Sequence, residues 1–119
     1  MIKAYQLITG DDGHTHIITG HVAENLIAKA TAVHFKETPA GTYYDWHPAP
    51  NTQFVFTLTG TLEFTVFSGE KFTLKAGEVL IAMDTSGSGH TWQMLGTESW
   101  KRAYVVFEEK DLIAFIKDT

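Results

Sequence analysis

The 119-residue chain contains no cysteine. Disulfides, thiolate zinc sites and cysteine nucleophiles are therefore excluded, and any metal must rest on histidine, carboxylates or amides. Arginine is almost as scarce: Arg102 stands alone, and the formal net charge is −5. A nucleic-acid footprint needs clustered lysine and arginine, so no nucleic-acid partner is expected. A neutral, cationic or metal-bound ligand is the easier guest for an acidic chain. Long apolar runs are missing as well. No stretch reaches the roughly 18 residues of a membrane span, and Met1 to Gln6 hold no apolar leader core, so the expectation is a cytoplasmic protein with no membrane contact. Internal repeats, low-complexity tracts and proline-rich linkers are also lacking. What is present, 44% hydrophobic and 19% charged residues, suffices to bury a core. The length fits a single domain over residues 1–119.

From residue 53 onward the chain reads as short strands at 53–58, 61–67, 71–74, 79–83, 91–95 and 102–107. The turns between them carry glycine, as at Thr59-Gly60, Ser68-Gly69-Glu70, Ala76-Gly77 and Gly96-Thr97. Such a rhythm predicts an all-β sandwich or barrel. Upstream, residues 30–35 read as a strand and 17–18 as the trace of another, while 22–29 suits a strand or a short helix. Residues 108–117 predict a short C-terminal helix lying on the barrel, with acids in the first turn and Leu112, Phe115 and Ile116 on one side. Alternation in the strand at 53–58 puts Gln53, Val55 and Thr57 on one face and Phe54, Phe56 and Leu58 on the other. If Gln53 points inward, the apolar set needs cover, either from this chain or from a second subunit in a homodimer.

Of the six histidines, His47 and His90 sit at the mouths of strands, where two rings can converge. His47 follows Asp45-Trp46 and precedes the Gln53 strand; His90 ends the turn-rich run Asp84-Thr85-Ser86-Gly87-Ser88-Gly89. Tyr43, Tyr44, Trp46 and Trp92 crowd the same stretches, and aromatic rings with a few polar groups are the material of a small-molecule pocket. Ordinary packing at a barrel mouth uses the same rings. His34, in Ala32-Val33-His34-Phe35, reads as a hydrogen-bonded barrel residue near such a pocket, and Thr57 shares the Gln53 face. His14 and His16 would point the same way on a strand, as a metal pair or a solvated one, with His21 close by in sequence. Asp45 and Asp84 suit either the orientation of a histidine or the capping of a turn.

The run from Gly41 through His47 and Gln53 to Gly60 resembles the first motif of the cupin superfamily, and Gly77-Glu78-Val79-Leu80 with Gly87-Ser88-Gly89-His90 resembles the second. Over most of its length the chain looks like small single-domain bacterial cupins. The resemblance implies a cupin double-stranded β-helix, a jelly-roll barrel. Metal-binding cupins generally use three histidines and a glutamate; here Ala49 stands for the second histidine, Gln53 for the glutamate and Met94 for a common asparagine. Two versions of the site follow. In one, His47, Gln53 and His90 hold one divalent transition metal (Zn, Ni, Fe or Cu), with His34 or Glu37 completing the shell, for dioxygenase or isomerase chemistry. In the other there is no metal, and His47 or His90 is the base and Tyr43 or Tyr44 the acid, as in cupin sugar epimerases. A barrel that only binds or senses a ligand, with Trp46, Thr57, Trp92 and His34 lining its pocket, is the third expectation.

Overall fold

The computed structural model describes residues 1–112 and 115–119. Their strands are β1 (Ile2–Thr9), β2 (Thr15–Val22), β3 (Ala32–Thr38), β4 (Tyr43–His47), β5 (Gln53–Thr59), β6 (Thr61–Val66), β7 (Lys71–Lys75), β8 (Val79–Met83), β9 (His90–Leu95), β10 (Trp100–Val106) and β11 (Phe115–Lys117). A seven-stranded sheet runs β11-β2-β1-β8-β5-β10-β3, and a four-stranded sheet runs β4-β9-β6-β7. Strands β1 and β8 are parallel, with Ala4 opposite Val79 and Ile8 opposite Met83. The other described pairings are antiparallel.

Period-2 alternation decides which side chains face the space between the sheets. In β6, Leu62, Phe64 and Val66 are buried while Thr61, Glu63 and Thr65 are partly exposed. With Leu74 and Phe72 of β7 they meet Leu7, Val55, Leu80, Trp92, Met94 and Trp100 in the main core. Side chains sealed as completely as Leu62, Phe64 and Leu74 each contribute about 1.5–3 kcal/mol. The opposite face of the large sheet carries a second cluster of Ala4, Phe54, Val79, Ile81 and Phe107, with Val22, Leu112 and Phe115 packed against it. The apolar face of β5 is thus covered at Phe54 by this chain's own segments, whereas Phe56 and Leu58 stay 38% and 57% exposed.

Several sequence expectations are corrected. The C-terminal helix does not form: Glu109–Asp111 make a single 3-10 turn, and Phe115–Lys117 add to the free edge of β2, with Phe115 opposite Val22. Leu112 has turned to an extended backbone, and no side chain caps the turn, so the helical spacing of Leu112 and Phe115 serves two contacts on the second cluster instead. Positions 113 and 114 of that expected helix lie outside the described residues. The weak strand at 17–18 extends over Thr15–Val22, and the strand expected at 30–35 runs Ala32–Thr38. Beyond Val22, residues 23–29 are neither strand nor helix.

Candidate functional site

The cross-strand register of β4 and β9 sets His47 directly opposite His90. Cross-strand partners are the closest neighbours a sheet offers, and the two imidazole centroids lie 4.5 Å apart at 62°. The approach depends on Gly89, which adopts φ +69 beside the His47 carbonyl and Pro48. A Cβ at that position would overlap the His47 carbonyl, so glycine is required both for the dihedral and for the contact. A backbone bond from Ala49 N to the Asp84 carbonyl, 2.9 Å, joins the same two loops.

Asp84 does not cap its own turn. Fully buried, its Oδ2 accepts from Thr15 Oγ1 at 2.8 Å and pairs with His90 Nδ1 at 2.6 Å, while Oδ1 is buried without a partner. The carboxylate holds the imidazole by Nδ1 and leaves Nε2 as the nitrogen turned to other chemistry. His47 is held likewise: its Nδ1 lies 2.7 Å from the Asp45 carbonyl, to which it donates, so Nε2 is the acceptor. Burial pushes the His47 imidazole below its ordinary value, and the neighbouring His90 adds to that; the Asp45 carbonyl and the Asp84 charge oppose it. The depressed value favours the neutral imidazole near pH 7.

Both histidines line a cavity of about 210 Å³ between the sheets. Gln53, Val55, Leu80, Ala82 and Trp92 continue its wall, and His34, Trp100, Arg102 and Tyr104 close one side. Tyr44 lines it too, with its ring edge-on to His47 at 4.1 Å and stacked on Trp92 at 5.5 Å. Gln53 is 3% exposed, and its Oε1 is buried with no partner. His34 stacks on Tyr104 at 4.7 Å.

Other candidates stand apart. Tyr43 is exposed and donates to Asp45 Oδ1 at 3.3 Å; desolvation first, then the Asp45 charge, push its phenol above the usual value. Tyr43 and Trp46, 57% and 48% exposed, lie outside the cavity. Thr57 is buried, but its hydroxyl accepts from Trp100 Nε1 at 3.2 Å and it does not line the cavity. Glu37 alternates away from Lys36 and accepts from Ser99 Oγ at 2.8 Å. The amino-terminal histidines do not converge: His14 bonds Ser88 and stacks on Phe67, His16 bonds Asp12, and His21 lies 4.0 Å from Asp118.

Arg102 joins the cavity with Trp100 and Tyr104, none of which stood among the sequence candidates for the site. Trp100, Arg102 and Tyr104 share one face of β10 by alternation and all three line the cavity. A lone arginine on the same alternating face as Trp100 and Tyr104 was the available signal.

The donor set does not fit the metal pattern of three histidines and a glutamate. Ala49 lines the cavity with a methyl group where a second histidine would coordinate, and Gln53 offers an amide oxygen in place of a carboxylate. Among the described residues no group of three His, Cys, Asp or Glu side chains is placed to hold a metal ion. Two imidazoles and an amide make a weak set.

Fold and site define an all-β class of two facing sheets with a ligand-sized cavity between them. The chain is similar to the Schizosaccharomyces pombe Cnp3 cupin domain, with a TM-score of 0.52 and 16% identity over 91% of this chain and 89% of that one. Its fold is the cupin fold. No family model matches the chain, and no curated protein does. Among the described residues no helix is long and apolar enough to cross a membrane.

Proposed function

We propose that the protein binds a small organic molecule in the cavity between its sheets without a metal, and that His47 exchanges a proton with it. The observation that carries this reading is the arrangement of the two imidazoles. Each is held through Nδ1, His47 by the Asp45 carbonyl and His90 by the Asp84 carboxylate, and both border one cavity. A neutral imidazole with a free Nε2 is a general base at pH 7, and Tyr44, packed against His47, is the hydroxyl best placed as its acid. Isomerase or epimerase chemistry is the reaction class such a pair serves. A binder or sensor uses the same cavity without turnover.

The proposal includes a homodimer. Phe56 and Leu58 border an apolar groove of about 420 Å³ on the outer face of the large sheet, shared with Phe54 and Val79. Phe35 on the edge strand β3 is 74% exposed. Burying these side chains against a second copy removes a contiguous apolar surface from water.

The test pairs elemental analysis with ligand-observed NMR on tag-free protein never exposed to chelator, in parallel with a His47→Ala, His90→Ala variant. Small molecules that bind the parent and not the folded variant, without metal, are the expected result. A near-stoichiometric transition metal lost in the variant would replace this reading with a metal-assisted one. Equal ligand binding by both proteins would remove the site altogether.

A further inference from the structure

We infer that the guest is a small organic carboxylate that also carries a hydrogen-bond donor, with its carboxylate on Arg102 and its donor on Gln53. The inference rests on reading the cavity as a ligand site. Arg102 is only 2% exposed. Its guanidinium lies on the Trp100 ring at 3.7 Å; Nε donates to the Tyr104 hydroxyl at 2.9 Å, and Nη1 donates to Thr38 Oγ1 at 2.6 Å and to the Trp100 carbonyl at 3.1 Å. Every one of these acceptors is neutral. Among the described residues no carboxylate lies within ion-pair distance of Arg102, and Nη2 makes no protein hydrogen bond.

A buried cation without a counter-charge is costly, and one that is also locked in place is prearranged for an anion. Lys36 joins Arg102 on the cavity wall, and neither Asp nor Glu lines it. The local charge is thus opposite to the net charge of −5, which on composition alone favours a neutral or cationic guest. A second unmet demand lies at Gln53, whose buried Oε1 lacks a donor. Val55, Leu80, Ala82 and Trp92 add apolar lining to the same cavity. The cavity of about 210 Å³ has the volume of about seven waters at about 30 Å³ each, which suits a compact acid with an apolar body. One unoccupied guanidinium nitrogen and one lysine supply enough positive charge for a monoanion and too little for a phosphate dianion.

Arg102 is the sole arginine, so its Nε–H gives one isolated signal in a ¹⁵N–¹H spectrum. Salicylate, salicylamide and inorganic phosphate are titrated while that signal and the imidazole signals of His47 and His90 are followed. Salicylate should move the Arg102 signal to saturation, with salicylamide at least about tenfold weaker, as loss of a charge-assisted pair requires. Arg102→Gln should weaken salicylate at least about tenfold, and the more exposed Lys36→Met by a smaller factor of about threefold. If Arg102→Gln does not fold, Lys36→Met and the parent titrations decide. Equal affinity for acid and amide, tighter phosphate, or salicylate binding that leaves the Arg102 signal unmoved each overturns the inference. Where the histidine signals still respond, the ligand cavity stands without it; where neither set responds to any probe, both readings fall.

Discussion

His90 is tied through Nδ1 to Asp84 Oδ2 at 2.6 Å, at a place where the two residues are 4% and 0% exposed. The carboxylate belongs to the turn before β9, the imidazole begins β9, and Thr15 of β2 shares the same oxygen. A strand of the large sheet and a strand of the small sheet therefore meet on one carboxylate.

Replacing Asp84 with Asn keeps the shape and removes the charge. Hydrogen bonds to an ionised partner contribute about 1.5–3 kcal/mol net, so Asp84→Asn should lower the unfolding free energy by about 2 kcal/mol in urea. It should also release the His90 ring from its single tautomer in ¹⁵N spectra. A variant with unchanged stability and unchanged ring signals would show that the pair is ornamental.

The sign of the pH response follows from His47. Its folded-state value is depressed below the ordinary 6.5, so the unfolded chain binds the proton more readily. The stability it supports is fully present above that ordinary value and is lost as pH falls from there through the depressed folded value. Urea midpoints between pH 7.5 and pH 5 should drop for the parent, and His47→Gln should flatten part of that slope. An identical slope in the variant would contradict the assignment.

Gly89 should tolerate no side chain. Its left-handed dihedral costs another residue about 1–2 kcal/mol, and a methyl group there also overlaps the His47 carbonyl. Gly89→Ala is expected to destabilise by about 2 kcal/mol or more and to separate the two imidazoles. Thermal unfolding gives the first effect, and loss of small-molecule binding without global unfolding gives the second.

For the proposed homodimer, Leu58→Glu and Phe35→Glu place charge on the exposed apolar face. Sedimentation velocity should report a dimer for the parent and a monomer for the variants, with the β-rich circular dichroism unchanged. A monomeric parent would end that part of the proposal.

The legible part of the fold lay where turn glycines bracket alternating residues, as between Gly60 and Gly69 around Leu62, Phe64 and Val66. The meeting of His47 with His90 was legible from their places at two strand mouths and from the motif spacing. Strand β1 escaped because a polar residue, Gln6, is buried on the Ala4 face of the strand, donating to the Met83 sulphur at 3.2 Å, and so breaks the apolar pattern. The C-terminal segment misled because Leu112 and Phe115 satisfy a helical period while touching the second cluster from a turn and an edge strand. Arg102 was hidden for another reason: its role comes from partners distant in sequence, such as Thr38, whereas Asp84 was legible as an aspartate able to orient a histidine and meets His90 only six residues on.

The parallel pairing of β1 with β8 has a consequence for how the molecule is made. The first strand takes its place in the interior of the seven-stranded sheet, between β2 and a strand that begins at Val79. During synthesis the β1–β2 hairpin must wait, one flank bare, until the ribosome has delivered about sixty further residues, from Val22 to the end of β8 at Met83. Assembly of the sheet is thus gated by the delivery of β8, and deleting the first nine residues would divide the sheet rather than shorten it.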